Sequence, residues 1–279
     1  YIFGDWSAGT ALSCFVGITK KAMLELLTFA DAVAITECSH EKLFKILDMY
    51  ECLHPLIPAI GSLFGQQQED GHSMRSVGTS GISTEASETL GRLGNAARIT
   101  FSAFETMVLR HDDPSKMLIS DRGRLRLVEY VMNYLRFLSD FMNPMNQLLW
   151  ERNDDQTGSV SSTSRASSGD QPGDDIGLGN QDFRPLSLSM LRLMEALEKK
   201  LDAKSKLYKD LGLSYLFLMN HLHYIGQKVK SSNLRKLLGD EWIKKNNVKL
   251  KQYHTTYRRT WVNIVTLLKD DGLNISRGS

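Results

Sequence analysis

Two histidines at close spacing, several doubled aspartates, two glycine pairs and one long run of lysine and arginine are the groups here whose types and spacing suit chemistry. His221 and His223 suggest a metal, but side chains two residues apart on a helix point to different faces and cannot chelate together without partners elsewhere. Packed or partly exposed helix histidines are the preferred reading. Asp112-Asp113, Asp154-Asp155, Asp174-Asp175 and Asp270-Asp271 fall in expected loops or helix ends. Solvation and capping account for such pairs better than general acid–base work does. Gly91-x-x-Gly94 lies inside a helical pattern and Gly177-Leu-Gly179 inside a polar stretch, so neither has the strand–turn–helix setting of a nucleotide site. GxSxG, HExxH and P-loop runs do not occur. The expectation is no enzyme, no metal and no cofactor. A catalytic set converging from distant helices without a linear motif is the residual alternative.

The strongest chemical feature is basic. Lys228, Lys230, Arg235, Lys236, Lys244, Lys245, Lys249, Lys251, Arg258 and Arg259 lie close in sequence, opposed locally by Asp240 and Glu241. A cluster of this kind draws anionic headgroups at about 1 kcal/mol per residue near a membrane. The competing reading is a solvated helical face balanced by acids on a neighbouring helix. Nucleic acid is not an expected partner, because no zinc finger, recognition helix or RNA-binding signature accompanies the charge. Arg165-Ala166-Ser167-Ser168 fits a kinase target, a match that Ser-rich linkers produce by chance.

The elements that must position these groups are helical throughout. Leu43, Ile46, Leu47, Tyr50, Leu53, Ile57, Ile60 and Phe64 make one stripe after Ser39 as N-cap, with a kink or break expected near His54 because Pro55 and Pro58 each remove a donor. Leu90, Leu93, Ala97, Phe101, Phe104 and Val108 make a second, capped by Ser83 or Thr84 and stopped at Asp112-Asp113-Pro114. Val128, Val131, Leu135, Leu138, Met142, Met145 and Leu149 make a third, interrupted by Asn143-Pro144 and too short for a coiled coil. Pro185 opens a fourth, and Leu213–Val229 reads as a central helix enclosed by others. The last runs from about Glu241 to Lys269, with Leu250, Tyr253, Tyr257, Trp261, Ile264 and Leu268 on one face. The fold class is all-α. Polar stretches near 65–82 and 151–184 read as flexible inter-helix loops rather than domain boundaries, so 1–279 is expected to form one continuous unit.

Composition agrees with a packed chain. Its 279 residues are 42% hydrophobic and 24% charged, enough to bury a sizeable core, and the formal net charge of +2 argues for no particular partner. Cys14, Cys38 and Cys52 show no metal-binding or disulfide spacing and suit a reducing cytosol. The sequence starts at Tyr1, with neither a signal-peptide core nor a membrane-spanning run, and reads as a soluble fragment.

One stretch is too idiosyncratic for amphipathicity alone. Tyr215–Trp242 resembles the "FLMNN..YI..K...S.L..LLGD.W" run of the plant branch of the exocyst seventy-kilodalton subunit family, through Phe217, Leu218, Met219, Asn220, Tyr224, Ile225, Lys228, Leu237, Gly239, Asp240 and Trp242. Glu41, Lys42, Leu43, Phe44, Leu47, Asp48, Met49, Tyr50 and Glu51 are similar to its "EKLF..LDMYE" run, and Pro58–Phe64 to the "P.I..LF" that follows. Tyr130, Val131, Met132, Asn133, Tyr134 and Leu135 repeat its YVMNYL. The family's V-H-P-L-T run before that motif is replaced by Arg124, Leu125, Arg126, Leu127 and Val128, so a different helix start is expected there. The resemblance implies an elongated rod of stacked antiparallel helical hairpins or bundles. It implies a non-enzymatic scaffold that works with other exocyst subunits to tether secretory vesicles, cytoplasmic and peripheral at the plasma membrane. Family members are longer than this chain. Their phosphoinositide site lies mainly in an extreme C-terminal domain, so lipid binding here is expected to be weakened. Some plant members act in immunity, which implies the alternative of a binding platform for a pathogen effector or an immune receptor.

Overall fold

A computed structural model describes the backbone of residues 8–36, 39–65, 80–110, 112–157 and 184–270, and every regular element among them is helical. They group into two compact units, Tyr1–Phe104 with Gln147–Arg152, and Glu105–Asn146 with Asn153–Ser279. The expected flexible stretches fall largely at 66–79 and 158–183, outside the described residues.

In the first unit α1 (Ala8–Ile35) is followed by α2 (Lys42–Leu53), α3 (Ile57–Gly65) and most of α4 (Ser80–Leu109). Leu43, Ile46, Leu47 and Tyr50 bury one face of α2 at three–four spacing. A 3₁₀ turn at His54–Leu56 separates α2 from α3, because Pro55 and Pro58 have no N–H to continue the ladder. Leu27, Ile60, Phe64, Ile82 and Ala86 then join α1, α3 and α4 in one apolar cluster. Arg92 on α4 ties α1 down with two bonds to the Asp31 carboxylate, Nε–Oδ1 at 2.7 Å and Nη2–Oδ2 at 2.6 Å. Two cap assignments are corrected. Ser39 contributes its carbonyl, which accepts from Lys42 N–H at 3.0 Å, and no side chain caps α2. Ser83 and Thr84 lie inside α4, which already begins at Ser80.

The second unit holds α5 (Arg126–Leu138), the start of α6 (Met142–Thr157), α7 (Arg184–Ser205), α8 (Leu211–Lys230) and α9 (Leu234–Asp270). The Val128–Leu149 stripe breaks at a 3₁₀ turn, Ser139–Phe141, which lies ahead of Pro144. A proline suits the first turn of the new helix, where N–H groups lack intrahelical partners anyway. Helix α6 extends through Thr157, past the expected end at Trp150. Asp210 caps α8 through a bond from Leu213 N–H at 2.8 Å. Ser231–Asn233 then turn the chain so that α9 runs back along α8, pairing Gly226 with Asn246, Tyr215 with Tyr253 and Gly212 with Tyr257. Helix α8 is less enclosed than expected, since Leu211 and Leu213 in its first turn face solvent.

Candidate functional site

The YVMNYL motif and the long motif after Tyr215 lie apart in sequence and meet along the α5–α8 seam. A small turn leads into it. Ile119 bridges Leu125, and Gly123 takes φ 71°, a left-handed conformation that glycine adopts without a Cβ penalty. Leu125 N–H, just before the first turn of α5, donates to His221 Nε2 at 2.8 Å, and His221 Nδ1–H donates to Phe217 O at 2.7 Å. One nitrogen accepts and the other donates, so the fully buried imidazole is neutral with its proton on Nδ1. Burial is the main cause holding its pKa below the ordinary value, and nearby Arg124 adds to it. His221 is thus a structural acceptor for an orphan helix-start donor, while His223 is exposed. The family's FLMNN run has Asn where this chain has His221, and its V-H-P-L-T run has His where this chain has Leu125, so here the imidazole stands on the helix. That run's Pro corresponds to Arg126, the first residue of α5, a position proline favours. Helix α5 of this chain starts at Arg126 without that proline.

Around this pair the seam is polar and closed. Arg124 donates to Glu129 at 2.8 Å and its guanidinium lies 4.5 Å from the Tyr224 ring centroid. Lys228 approaches the same ring at 5.6 Å and donates to Asn133 Oδ1 at 2.9 Å. Tyr224, Lys228 and Asn133 are therefore joint-forming residues. The Tyr130 and Tyr134 rings lie 6.3 Å apart in a tilted arrangement, and burial raises the Tyr134 phenol's pKa well above its ordinary range. Met132 is buried, Met219 partly so, and Asn220 is exposed.

In the first motif Leu43, Leu47 and Tyr50 are core, Phe44 and Met49 are partly buried, and Glu41 and Asp48 face solvent. Lys42 Nζ donates to Thr36 O and Ala34 O at the end of α1, a cation placed where a helix leaves its carbonyls unpaired. At the other end of the chain Gly239 takes φ 77°, ψ 166°, interrupting α9. Asp240 and Arg235 pair across that break at 2.8 Å, lowering the acid's pKa and raising the base's. Trp242 follows, partly buried against α7.

The basic run divides into two sets. Arg235 pairs with Asp240, Lys244 with Glu241 at 2.6 Å, and Lys249 with Glu198 on α7. Lys230 reaches Asn247 at 3.5 Å. Lys236, Lys245, Lys251, Arg258 and Arg259 are exposed and form no ion pair among the described residues. From Trp242 to Leu268 the chain has no acid at all, and the outward side of α9 also shows Val248, Trp261, Val262 and Val265. Glu198 escaped sequence reasoning because it lies far from the run it neutralises. The i, i+3, i+7 spacing of Glu195, Glu198 and Asp202 was the available signal.

No group of three His, Cys, Asp or Glu side chains is gathered as a metal would need, among the described residues. The remaining shifted acids have structural partners. Lys200 Nζ bonds Asp112 Oδ2 at 2.7 Å and Arg110 O at 2.6 Å, and that bond with Lys200 is the first cause of the lowered Asp112 pKa. Asp113 is lowered chiefly by bonds from Ser115.

With the geometry described, comparison with known proteins adds identity. The sequence model for the C-terminal part of the Exo70 subunit of the exocyst complex matches residues 1–279. The chain is similar to the exocyst complex component EXO70B1 of Arabidopsis thaliana, 37% identical over 271 residues that cover 97% of this chain and 38% of that protein. EXO70B2 of the same plant is 35% identical over 274 residues, covering 97% and 40%. EXO70A1 is 32% identical over 266 residues, covering 95% and 36%. The chain thus spans well under half the length of these relatives.

Proposed function

This chain belongs to the Exo70 exocyst family, whose C-terminal part it matches, and we propose from that premise that it is part of a non-enzymatic exocyst subunit that helps hold secretory vesicles at the plasma membrane before fusion. The protein works in the cytoplasm and peripherally at that membrane, in contact with other exocyst subunits. The observation that carries the contact surface is the outward side of α9, where Lys245, Lys251, Arg258 and Arg259 stand exposed beside Val262 and Val265. Their charge attracts acidic lipid headgroups or acidic faces of partner subunits. Among the described residues no helix is long and apolar enough to cross a membrane, so contact of these elements with lipid is at the surface.

The test is an affinity pull-down from plant extract, read by mass spectrometry, beside a variant carrying Lys245→Glu, Lys251→Glu, Arg258→Glu and Arg259→Glu. These four leave the Lys244–Glu241 and Lys249–Glu198 pairs untouched. Exocyst subunits recovered with the parent and lost with the variant support the reading; no exocyst subunit with either protein overturns it. On vesicles containing phosphoinositide the expected binding is weak and falls as salt rises from about 0.1 M to about 1 M, where the screening length shrinks from roughly 10 Å to roughly 3 Å. Tight, salt-insensitive binding contradicts a surface-charge mechanism.

A second reading, a platform for a pathogen effector or an immune receptor, has its own support in α1, where Phe15, Ile18, Leu26 and Phe29 present apolar side chains to solvent. The same pull-down distinguishes it, through immune receptors recovered in place of exocyst subunits.

A further inference from the structure

The turn that leads into α5 carries an arginine at every second position, Arg122, Arg124 and Arg126, of which the α5–α8 joint accounts for Arg124 alone. Ser120 N–H donates to Arg124 O at 2.6 Å and Arg126 N–H to Leu118 O at 3.0 Å, so two short extended stretches pair across Gly123. Leu125 is extended and fully buried, and alternation along an extended stretch sends the side chains of Arg124 and Arg126 the other way, outward. These two arginines stand where the resembled V-H-P-L-T run has valine and proline, so their charge belongs to this chain's departure from that run.

Arg124 is already set in place. Glu129 holds its Nε, its guanidinium lies 4.5 Å from the Tyr224 ring centroid, and its side chain is 22% exposed. Its two terminal nitrogens donate to nothing among the described residues, which leaves open the fork by which arginine grips an oxyanion. Lys228 Nζ, 5.6 Å from the same ring centroid, uses one of its three N–H donors on Asn133. Arg122 is near enough for its charge to act on the Tyr224 hydroxyl. Arg122 and Arg126 are exposed and form no ion pair among the described residues. Between Pro114 and Ser139 the acids are Asp121 and Glu129, Glu129 is taken by Arg124, and α8 contributes none. Four cations against one uncommitted acid suit an anion of more than unit charge. A phosphate monoester carries about −1.5 to −2 at pH 7, and a carboxylate half to two-thirds of that.

We propose that Arg122, Arg124, Arg126 and Lys228 receive a phosphorylated side chain of a partner protein. Leu118 and Ile119, 67% and 41% exposed on the stretch paired with Arg124–Arg126, pack against an apolar residue next to the phosphate. A flat headgroup surface would meet the exposed Arg122 and Arg126 first, whereas Arg124, drawn back against its ring, is within reach of one phosphate on a flexible segment. Clusters of arginine are a recurring means of reading phosphorylated motifs. This surface is separate from the outward basic face of α9, and its failure would leave the tethering proposal standing.

The experiment titrates the whole 279-residue chain into a fluorescein-labelled alanine peptide carrying one phosphoserine followed by leucine, read by fluorescence anisotropy. A matched peptide carries serine. The expected result is saturable binding of the phosphoserine peptide, about tenfold tighter or better than the serine peptide, in keeping with charged hydrogen bonds. Arg122→Gln with Arg126→Gln, both at exposed positions, weakens the phosphoserine peptide by a similar factor. So does Arg124→Lys, which keeps the charge but not the fork. The variant with Lys245→Glu, Lys251→Glu, Arg258→Glu and Arg259→Glu binds the peptide as the parent does. Equal binding of the two peptides overturns the proposal. So does binding that is indifferent to Arg122→Gln with Arg126→Gln in a variant whose circular dichroism matches the parent, or binding that the α9 substitutions abolish. Vesicles containing phosphoinositide that bind through Arg122 and Arg126 while the peptide does not would assign the surface to a membrane and overturn it as well.

Discussion

Replacing His221 by Leu tests the reading of the α5–α8 seam. Leucine is close to imidazole in size but has no acceptor, so Leu125 N–H, on a residue with 0% exposure, is left buried and unpaired. A buried donor in that state costs about 1–3 kcal/mol. The loss corresponds to a fall in melting temperature of about 2–4 °C per kcal/mol for a body of this size. His221→Asn retains a side-chain oxygen and is expected to cost less than Leu. The histidine also predicts a pH dependence. Its folded pKa lies below the ordinary 6.5, chiefly because burial disfavours the charged ring. The unfolded chain therefore binds the proton more readily. The contribution is fully present above 6.5 and is lost as pH falls below that value toward the folded pKa. His221→Asn removes that slope. Urea unfolding across pH, with hydrogen exchange at the Leu125 amide, measures both effects. Parent-like stability of His221→Leu, with the Leu125 amide still protected, would refute the assigned hydrogen bond.

Two further outcomes follow from the packing. A Cβ at Gly91 meets nothing within 4 Å, whereas at Gly94 it would lie 2.8 Å from Leu148 Cδ2 and 3.5 Å from Tyr50 Cε2. Gly91→Ala should therefore gain about 0.5–1 kcal/mol of helix propensity. Gly94→Ala should lose that gain to overpacking of about 1–3 kcal/mol, and thermal melts of the two variants order them. Lys200→Met removes the donor to Asp112 and Arg110 O, and is expected to destabilise by about 1–3 kcal/mol, read by urea unfolding. The Asp112 share of stability is present above its ordinary pKa of 3.8 and lost as pH falls through the lowered folded value, so Lys200→Met should also flatten the acid limb of the stability curve.

Much of the fold was legible because helix formation is local. Three–four spacing named Leu43, Ile46, Leu47 and Tyr50 as a buried face, and the prolines at 55 and 58 marked the break between α2 and α3. Capping was less legible: hydroxyls near helix starts are common, and which one is used depends on a turn's geometry, as Ser39 illustrates. The motif residues alone carried the family, since idiosyncratic side chains in fixed order survive without coordinates. Their roles did not, because a role is a contact. His221 meets Leu125 across 96 positions, and Lys249 meets Glu198 across 51. No window of sequence contains both partners.

The sequence by itself determined an all-α chain, its helix faces, its family and a cationic last helix, each a property of neighbouring residues or of their order. Only the tertiary structure decided how that charge is distributed. It neutralised Arg235, Lys244 and Lys249 with nearby acids and left Lys245, Lys251, Arg258 and Arg259 to solvent. It also turned His221 inward as a neutral acceptor and set Trp242 beside a small cavity between α7 and α9. Charge in a sequence adds along the chain, whereas the field at a surface depends on which opposite charges lie within a few ångströms, and that distance exists only after folding.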